Sequence, residues 1–218
     1  GETLATFPRS TAEDVDRAVA AAKEAFEEWR VLPAPGRGKV LFRFARLLEE
    51  QKDELTELMS REMGKVLAEA GGDVQEAIDM SVYMAGEGRR LFGHTTPSEL
   101  RVKFQMSVRM PVGVAGLITP WNFPIAIPAW KLAPALVAGN TVVLKPAEDT
   151  PFLAERFIEL LGEAGLPDGA VNLVHGFGEE AGDRLVRHPD VPIITFTGSR
   201  ETGIAVTKAA ADGLKHVH

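Results

Sequence analysis

The chain has 218 residues, 45% hydrophobic and 25% charged, an ordinary globular composition that argues against wholesale disorder. The net charge is −7 and neither part carries a basic excess (16 basic against 19 acidic residues over 1–112, 8 against 12 over 113–218), so a nucleic-acid partner is disfavoured. None of the 218 residues is cysteine, which excludes disulfides, zinc-thiolate sites and a cysteine nucleophile within them.

The opening GETLATFPRS has neither the basic start nor the apolar core of a secretory signal, and a cytoplasmic location is expected. Ser10 and Glu13 have capping-box spacing. Val15, Ala18, Val19, Ala22, Phe26 and Trp29 follow as one apolar stripe at helical period. Leu32-Pro33-Ala34-Pro35-Gly36 is a break. A second stripe runs from Val40 to Met59, and a third from Leu67 to Ala85 is weakened by Gly71-Gly72. Such stripes imply amphipathic packing and carry no chemistry. Residues 100–109 (LRVKFQMSVR) alternate at period two, which predicts a half-exposed strand that needs a partner.

From residue 113 the texture changes. Short apolar runs at 114–118, 141–145, 171–174 and 193–196 alternate with helical stretches at 125–137, 151–164, 180–186 and 200–211. That alternation predicts βαβ units and a parallel sheet, with Gly139, Gly165 and Gly213 at helix C-caps. The charge-free run Met110–Trp130 is long enough for a membrane span, but its four prolines oppose a spanning helix. No membrane association is expected. Three units emerge: a helical region over 1–99, a strand over 100–112 and an α/β region over 113–218. At ~100–200 residues per domain, the length allows one large domain or two small ones.

In a parallel sheet, ligands bind beyond the carboxyl ends of the strands. There the sequence places Thr119-Pro120-Trp121-Asn122-Phe123-Pro124, then Lys145-Pro146-Ala147-Glu148, then His175-Gly176-Phe177-Gly178, then Thr197-Gly198-Ser199-Arg200-Glu201-Thr202-Gly203. Gly198 and Gly203 form G-x-x-x-x-G between a strand and a helix, a spacing that suits either pyrophosphate binding or simple steric need. The five histidines show no useful ligand spacing beyond the terminal H-x-H, so no metal is expected.

ITPWNFP (118–124), AWKLAPALVAGNTVVLKPAE (129–148) and FTGS with the later glycine (196–203) together resemble the NAD(P)-dependent aldehyde dehydrogenase superfamily. The likeness is loose to about residue 100 and close from Pro111 to Gly203. Residues 108–148 look most like bacterial semialdehyde dehydrogenases, such as those for 2-oxoglutarate semialdehyde. The resemblance implies an α/β fold with a helical N-terminal region and a Rossmann-like parallel sheet with helices on both faces. It implies that 113–218 is an incomplete cofactor-binding domain and that the 100–112 strand starts an oligomerisation arm. The expected cofactor is NAD, with NADP possible, and the partners are an aldehyde substrate and further copies in a homodimer or homotetramer.

Site residues follow from the resemblance. Asn122 looks like the oxyanion donor, its other reading being a helix N-cap. Lys131 resembles a lysine proposed for proton relay, and if buried it needs a partner. Lys145 and Glu148 match the pair that holds the adenosine ribose hydroxyls, against the alternative of a helix start with acids in its first turn. Ile118, Thr119, Pro120 and Trp121 line the cofactor cleft in the family, and Gly178, Gly198, Ser199, Thr202 and Gly203 fall at its adenine and pyrophosphate contacts. Phe123, Ile127 and Trp130 sit where the aldehyde tunnel is lined, or are ordinary core. The family's nucleophilic cysteine and general-base glutamate have no counterpart before His218, so the sequence is expected to be the first half of such an enzyme and inactive alone. Two other readings stay open: a sister enzyme that ends its thioester with coenzyme A or phosphate, and a non-catalytic dinucleotide-binding module.

Overall fold

Thr11, one residue past the expected cap, starts the first helix. Its hydroxyl accepts from the Asp14 amide, and the Asp14 carboxylate accepts from the Thr11 amide at 2.7 Å. The capping box is therefore Thr11/Asp14 instead of Ser10/Glu13. The computed structural model describes residues 3–218.

Four helices fill the first part: α1 (Ala12–Trp29), α2 (Ala34–Glu50), α3 (Lys52–Met63) and α4 (Leu67–Glu87). The second apolar stripe is thus two helices, divided where Gln51 leaves helical geometry. Gly71-Gly72 does not interrupt α4. Its buried face, including Ala70, Val74, Ala77 and Ala85, packs on α2 and α5, and tertiary burial outweighs glycine's weak helix propensity.

The strand expected over 100–109 is mostly absent. Only Gln105–Met106 (β2) pairs, antiparallel to Thr95–Thr96 (β1), and both alternating sets of side chains are exposed. A two-stranded ribbon with no layer behind it has no face to bury, so period-two alternation produces no buried side.

The remainder alternates: β3 (Val114–Ile118), α5 (Ala126–Ala138), β4 (Thr141–Lys145), α6 (Pro151–Glu163), β5 (Val171–Leu173), a π-helical turn (Gly178–Gly182) running into α7 (Asp183–Arg187), β6 (Ile193–Phe196), α8 (Arg200–Ala211) and β7 (His216–Val217). The five strands β3–β7 form one parallel sheet in the order β5-β4-β3-β6-β7. The edge strand β7 is not foreshadowed in the sequence, because two residues carry no periodicity. Gly139 and Gly165 take the left-handed conformation expected of helix ends, but after α8 that role falls to Leu214 (φ +50°) and not to Gly213.

Helices cover both faces. On one, Val15, Val19 and Ala22 of α1 join α7 and α8 over Val114, Val143 and Ile194. On the other, α5 and α6 share a core with α2–α4 over Ala115, Leu117, Val142 and Leu144. The last turn of α5 is tied to the helical region by Trp29 Nε1, which donates to the Leu136 carbonyl at 3.1 Å, and by Arg37 Nε, which donates to Val137 at 2.9 Å. These bonds satisfy carbonyls that the helix itself leaves open.

Candidate active site

Strand order reverses at β3, with β4 and β5 on one side and β6 and β7 on the other. The carboxyl ends of β3 and β6 therefore frame the crevice where an open α/β sheet binds its ligand. The Thr197 amide donates to the Ile118 carbonyl at 3.1 Å and closes the base of that crevice. From Ile118 a cleft of about 490 Å³ runs between the π-helical turn with α7 and the first turns of α8. Gly178 and Gly182 form part of one wall, and Thr202 and Val206 part of the other. A Cβ built on either glycine would meet nothing within 4 Å, so side chains there would fill the cleft and not the core.

The start of α8 is set by Ser199, whose hydroxyl accepts from the Thr202 amide at 3.1 Å and meets the Thr202 hydroxyl at 2.9 Å. The two glycines flanking this turn have a steric cause. A Cβ on Gly198 would lie 2.6 Å from Cζ of Phe196, and one on Gly203 would lie 3.3 Å from Cε1 of the same ring. The G-x-x-x-x-G spacing thus makes room for Phe196, and the α8 amides stand beside the cleft on that account.

At the neighbouring strand end, Lys145 is buried and donates from Nζ to Glu148 Oε2 at 3.1 Å. Burial alone would raise the Glu148 carboxyl. Bonding to its own backbone amide and to Lys145 outweighs that and leaves it below the usual range. Glu148 is not a first-turn acid: α6 begins at Pro151, and its Phe152 and Leu153 amides donate to the Glu62 carboxylate at 2.7 and 3.1 Å. Thr119 lies beside this pair, its amide donating to the Lys145 carbonyl at 3.2 Å. Its buried hydroxyl has no partner among the described residues. A buried hydroxyl without a partner costs free energy. Together with the open faces of Gly178 and Gly182, it fits a polar ligand laid across the strand ends.

Asn122 is exposed in the loop before α5, between exposed Trp121 and Phe123, while Pro120 is half-buried behind them. The helix-cap reading of Asn122 does not hold. The α5 cap is Ile125, without a side-chain bond, and the Ala126 amide donates instead to Asp73 Oδ1 at 2.7 Å. Phe123 stacks on Trp130 with ring centroids 6.4 Å apart. Ile127, Trp130 and Lys131 line a second cavity of about 360 Å³ with Thr195 and Thr197 of the β6 end. Lys131 Nζ donates to Thr195 Oγ1 at 2.8 Å, and burial lowers its pKa from the ordinary lysine value. Its partner is a neutral hydroxyl.

Of the predicted residues, Ile118, Gly178 and Thr202 line the larger of these two cavities and Ile127, Trp130 and Lys131 the smaller. The Lys145–Glu148 pair and Thr119 lie at the strand ends. Sequence reasoning missed Thr195, which partners Lys131, and the Lys65–Asp73 pair behind the Asn122 loop. The one available signal for that pair was an acid, Asp73, on the apolar stripe of α4.

The family model described as "Aldehyde dehydrogenase family" matches residues 1–218. An alpha-ketoglutaric semialdehyde dehydrogenase of Bacillus subtilis is 47% identical over 208 residues, covering 95% of this chain and 43% of that protein. A malonate-semialdehyde dehydrogenase of Geobacillus thermodenitrificans is 46% identical over 217 residues, covering all of this chain and 45% of that one. Among solved structures, a Staphylococcus aureus betaine aldehyde dehydrogenase in complex with NAD+ superposes with a TM-score of 0.96 at 37% identity, over 99% of this chain and 43% of that one. An E. coli NADP-dependent enzyme does so with 0.97 at 40% identity, over 100% and 45%. The chain thus spans a little under half the length of these relatives. With a family model matched along all of its residues and a fold shared with solved members, the chain belongs to the aldehyde dehydrogenase family.

Proposed function

We propose that this chain forms the cofactor-binding part of an NAD(P)-dependent dehydrogenase that oxidises an aldehyde, of the semialdehyde class, to a carboxylate. The observation that carries the reading is the Asn122 carboxamide. It stands exposed in the loop that follows the carboxyl end of β3, and Asp73, not Asn122, accepts from the first α5 amide. When bound, the dinucleotide supplies the hydride acceptor. The chain's own residues bind and orient. Lys145 and Glu148 hold the adenosine ribose hydroxyls, and Thr119 offers its unpaired hydroxyl nearby. The cleft between α7 and α8 takes the adenine, and the α8 amides face the pyrophosphate. A cysteine thiolate outside these 218 residues attacks the aldehyde carbon, and the Asn122 amide donates to the carbonyl oxygen as it becomes an alkoxide. Phe123, Ile127 and Trp130 line the aldehyde's path, and Lys131 is placed to move a proton beside it.

NAD is the preferred cofactor in this reading because Glu148 is anionic; NADP is the second, supported by the likeness to an NADP-dependent enzyme. The exposed apolar residues Phe104, Met106 and Val108 support the ribbon as an arm between copies in a homodimer or homotetramer.

The test is product balance in the whole enzyme that carries this chain. Malonate and 2-oxoglutarate semialdehydes are each supplied with NAD, without coenzyme A or phosphate. One NADH should form per carboxylate released, at turnover within the usual ~1–10³ s⁻¹. No NADH from any aldehyde would overturn the reading. NADH only when coenzyme A or phosphate is added would replace it with the sister chemistry.

A further inference from the structure

The Asn122 loop is held from behind by a charged pair that belongs to the helical region. Gly64 ends α3 in the left-handed conformation (φ +78°), and Ser60 Oγ donates to the Lys65 carbonyl at 2.6 Å. The turn aims Lys65 toward α5. Its Nζ has three partners: Asp73 Oδ2 at 2.9 Å, the Asn122 carbonyl at 2.9 Å and the Phe123 ring, whose centroid is 3.8 Å away. Asp73 uses its other oxygen for the Ala126 amide at 2.7 Å. Both side chains are out of water, Lys65 at 8% exposure and Asp73 at 0%. The pair therefore grips the 119–125 loop at its middle, by the carbonyl of Asn122, and at its far end, by the first amide of α5. Neither grip touches the Asn122 carboxamide.

We propose that Lys65 and Asp73 are positioning residues for the Asn122 carboxamide. They fix the loop by its backbone, so that the side-chain amide is held in one place without being consumed as a helix cap. A buried ion pair of this kind is a poor device for stability, because desolvation offsets most of its attraction. It is a good device for geometry, because an ammonium with three fixed partners leaves the loop little play. Donor placement matters in the transition state, where a misplacement near 1 Å costs ~10²-fold in rate. The proposal rests on the reading of Asn122 as oxyanion donor.

The experiment is a mutant cycle on kcat in the whole enzyme. Lys65→Met alone strands the Asp73 carboxylate, so the working variant is the Lys65→Met/Asp73→Asn double, which has no buried charge and keeps an acceptor for Ala126. Thermal midpoints and NAD dissociation constants accompany each kcat. The double should lose ~10²-fold in kcat with NAD affinity unchanged. In an Asn122→Ala background it should lose nothing further, since the amide it positions is gone. Asp73→Asn alone leaves Lys65 on the Asn122 carbonyl and the Phe123 ring but without its counter-charge, so its thermal midpoint should drop while its kcat falls between wild type and the double. The proposal is overturned if the double keeps wild-type kcat, or if its loss multiplies fully with that of Asn122→Ala. A different failure, Asn122→Ala leaving kcat unchanged, would overturn the oxyanion reading itself and the positioning role with it.

Discussion

Glu148 is the residue on which cofactor choice turns in this account. Its carboxyl is held ionised by its own amide and by Lys145, and it stands where the ribose hydroxyls are expected. A 2′-phosphate in that place brings like charge, at a cost of roughly 3 kcal/mol per unit charge at ~5 Å and an effective dielectric of ~20 before screening by solvent and salt, which the exposure of Glu148 makes substantial. Lys145 opposes this only in part, because its Nζ is already engaged. Glu148→Gln should therefore raise kcat/KM for NADP while lowering that for NAD modestly. An unchanged ratio in steady-state kinetics with both cofactors would remove Glu148 from the cofactor site. Lys131 makes a prediction about pH. Burial sets its folded pKa below the 10.5 of free lysine, so between those values the unfolded chain binds more protons than the folded one. Stability from this group must then rise with pH across that window. Denaturant midpoints of wild type and Lys131→Met, followed from neutral pH toward 10.5, should diverge in favour of wild type; parallel curves would refute it. Asn122 and Glu148 can be proposed from the sequence because they stand in short runs, PWNFP and KPAE, that resemble the family's motifs; residue type alone leaves each open to a helix-start reading. Lys65 lies 57 residues from the loop it grips, and only the fold brings the two together.

At the scale of elements, periodicity locates helices well and their ends less well. The stripe from Val40 to Met59 reads as one helix because α2 and α3 keep their apolar faces in phase across Gln51. The 100–109 segment misleads for the opposite reason: its alternation is real, but the described residues contain no layer for it to cover. Glycines in helices divide by what faces them. A Cβ on Gly38 of α2 would lie 2.5 Å from the Ala85 carbonyl oxygen, and one on Gly88 would lie 2.6 Å from that of Ala34. No side-chain rotation relieves a clash with backbone. Gly38→Ala should therefore force α2 and α4 apart and destabilise by ~1–3 kcal/mol. Gly72→Ala, exposed on α4 with open space before it, should stabilise by ~0.4–1 kcal/mol. Thermal or denaturant unfolding of the two variants checks the contrast, and equal shifts would mean that the close approach of α2 and α4 is not rigid.

Across the whole molecule, one parallel sheet organises everything the proposed chemistry needs. Its switch point aligns Ile118, Thr197 and the start of α8 at the crevice proposed for the cofactor. Its α5 side carries Asn122 and Lys131 and is anchored to the helical region by Trp29, Arg37 and the Lys65–Asp73 pair. Helices and sheet thus share the work of one site, with the first helices acting as its scaffold. On the proposed reading the arrangement binds, orients and stabilises charge, yet none of these residues is a cysteine. The central claim is that this chain supplies the cofactor bed and the oxyanion donor to a cysteine located elsewhere in the enzyme. Alkylating the whole enzyme with iodoacetamide, mapping the label and measuring residual turnover tests it most directly. The account predicts that aldehyde oxidation is lost as one cysteine outside these 218 residues is labelled, while the NAD dissociation constant is unchanged. Turnover that survives with every cysteine blocked would contradict it.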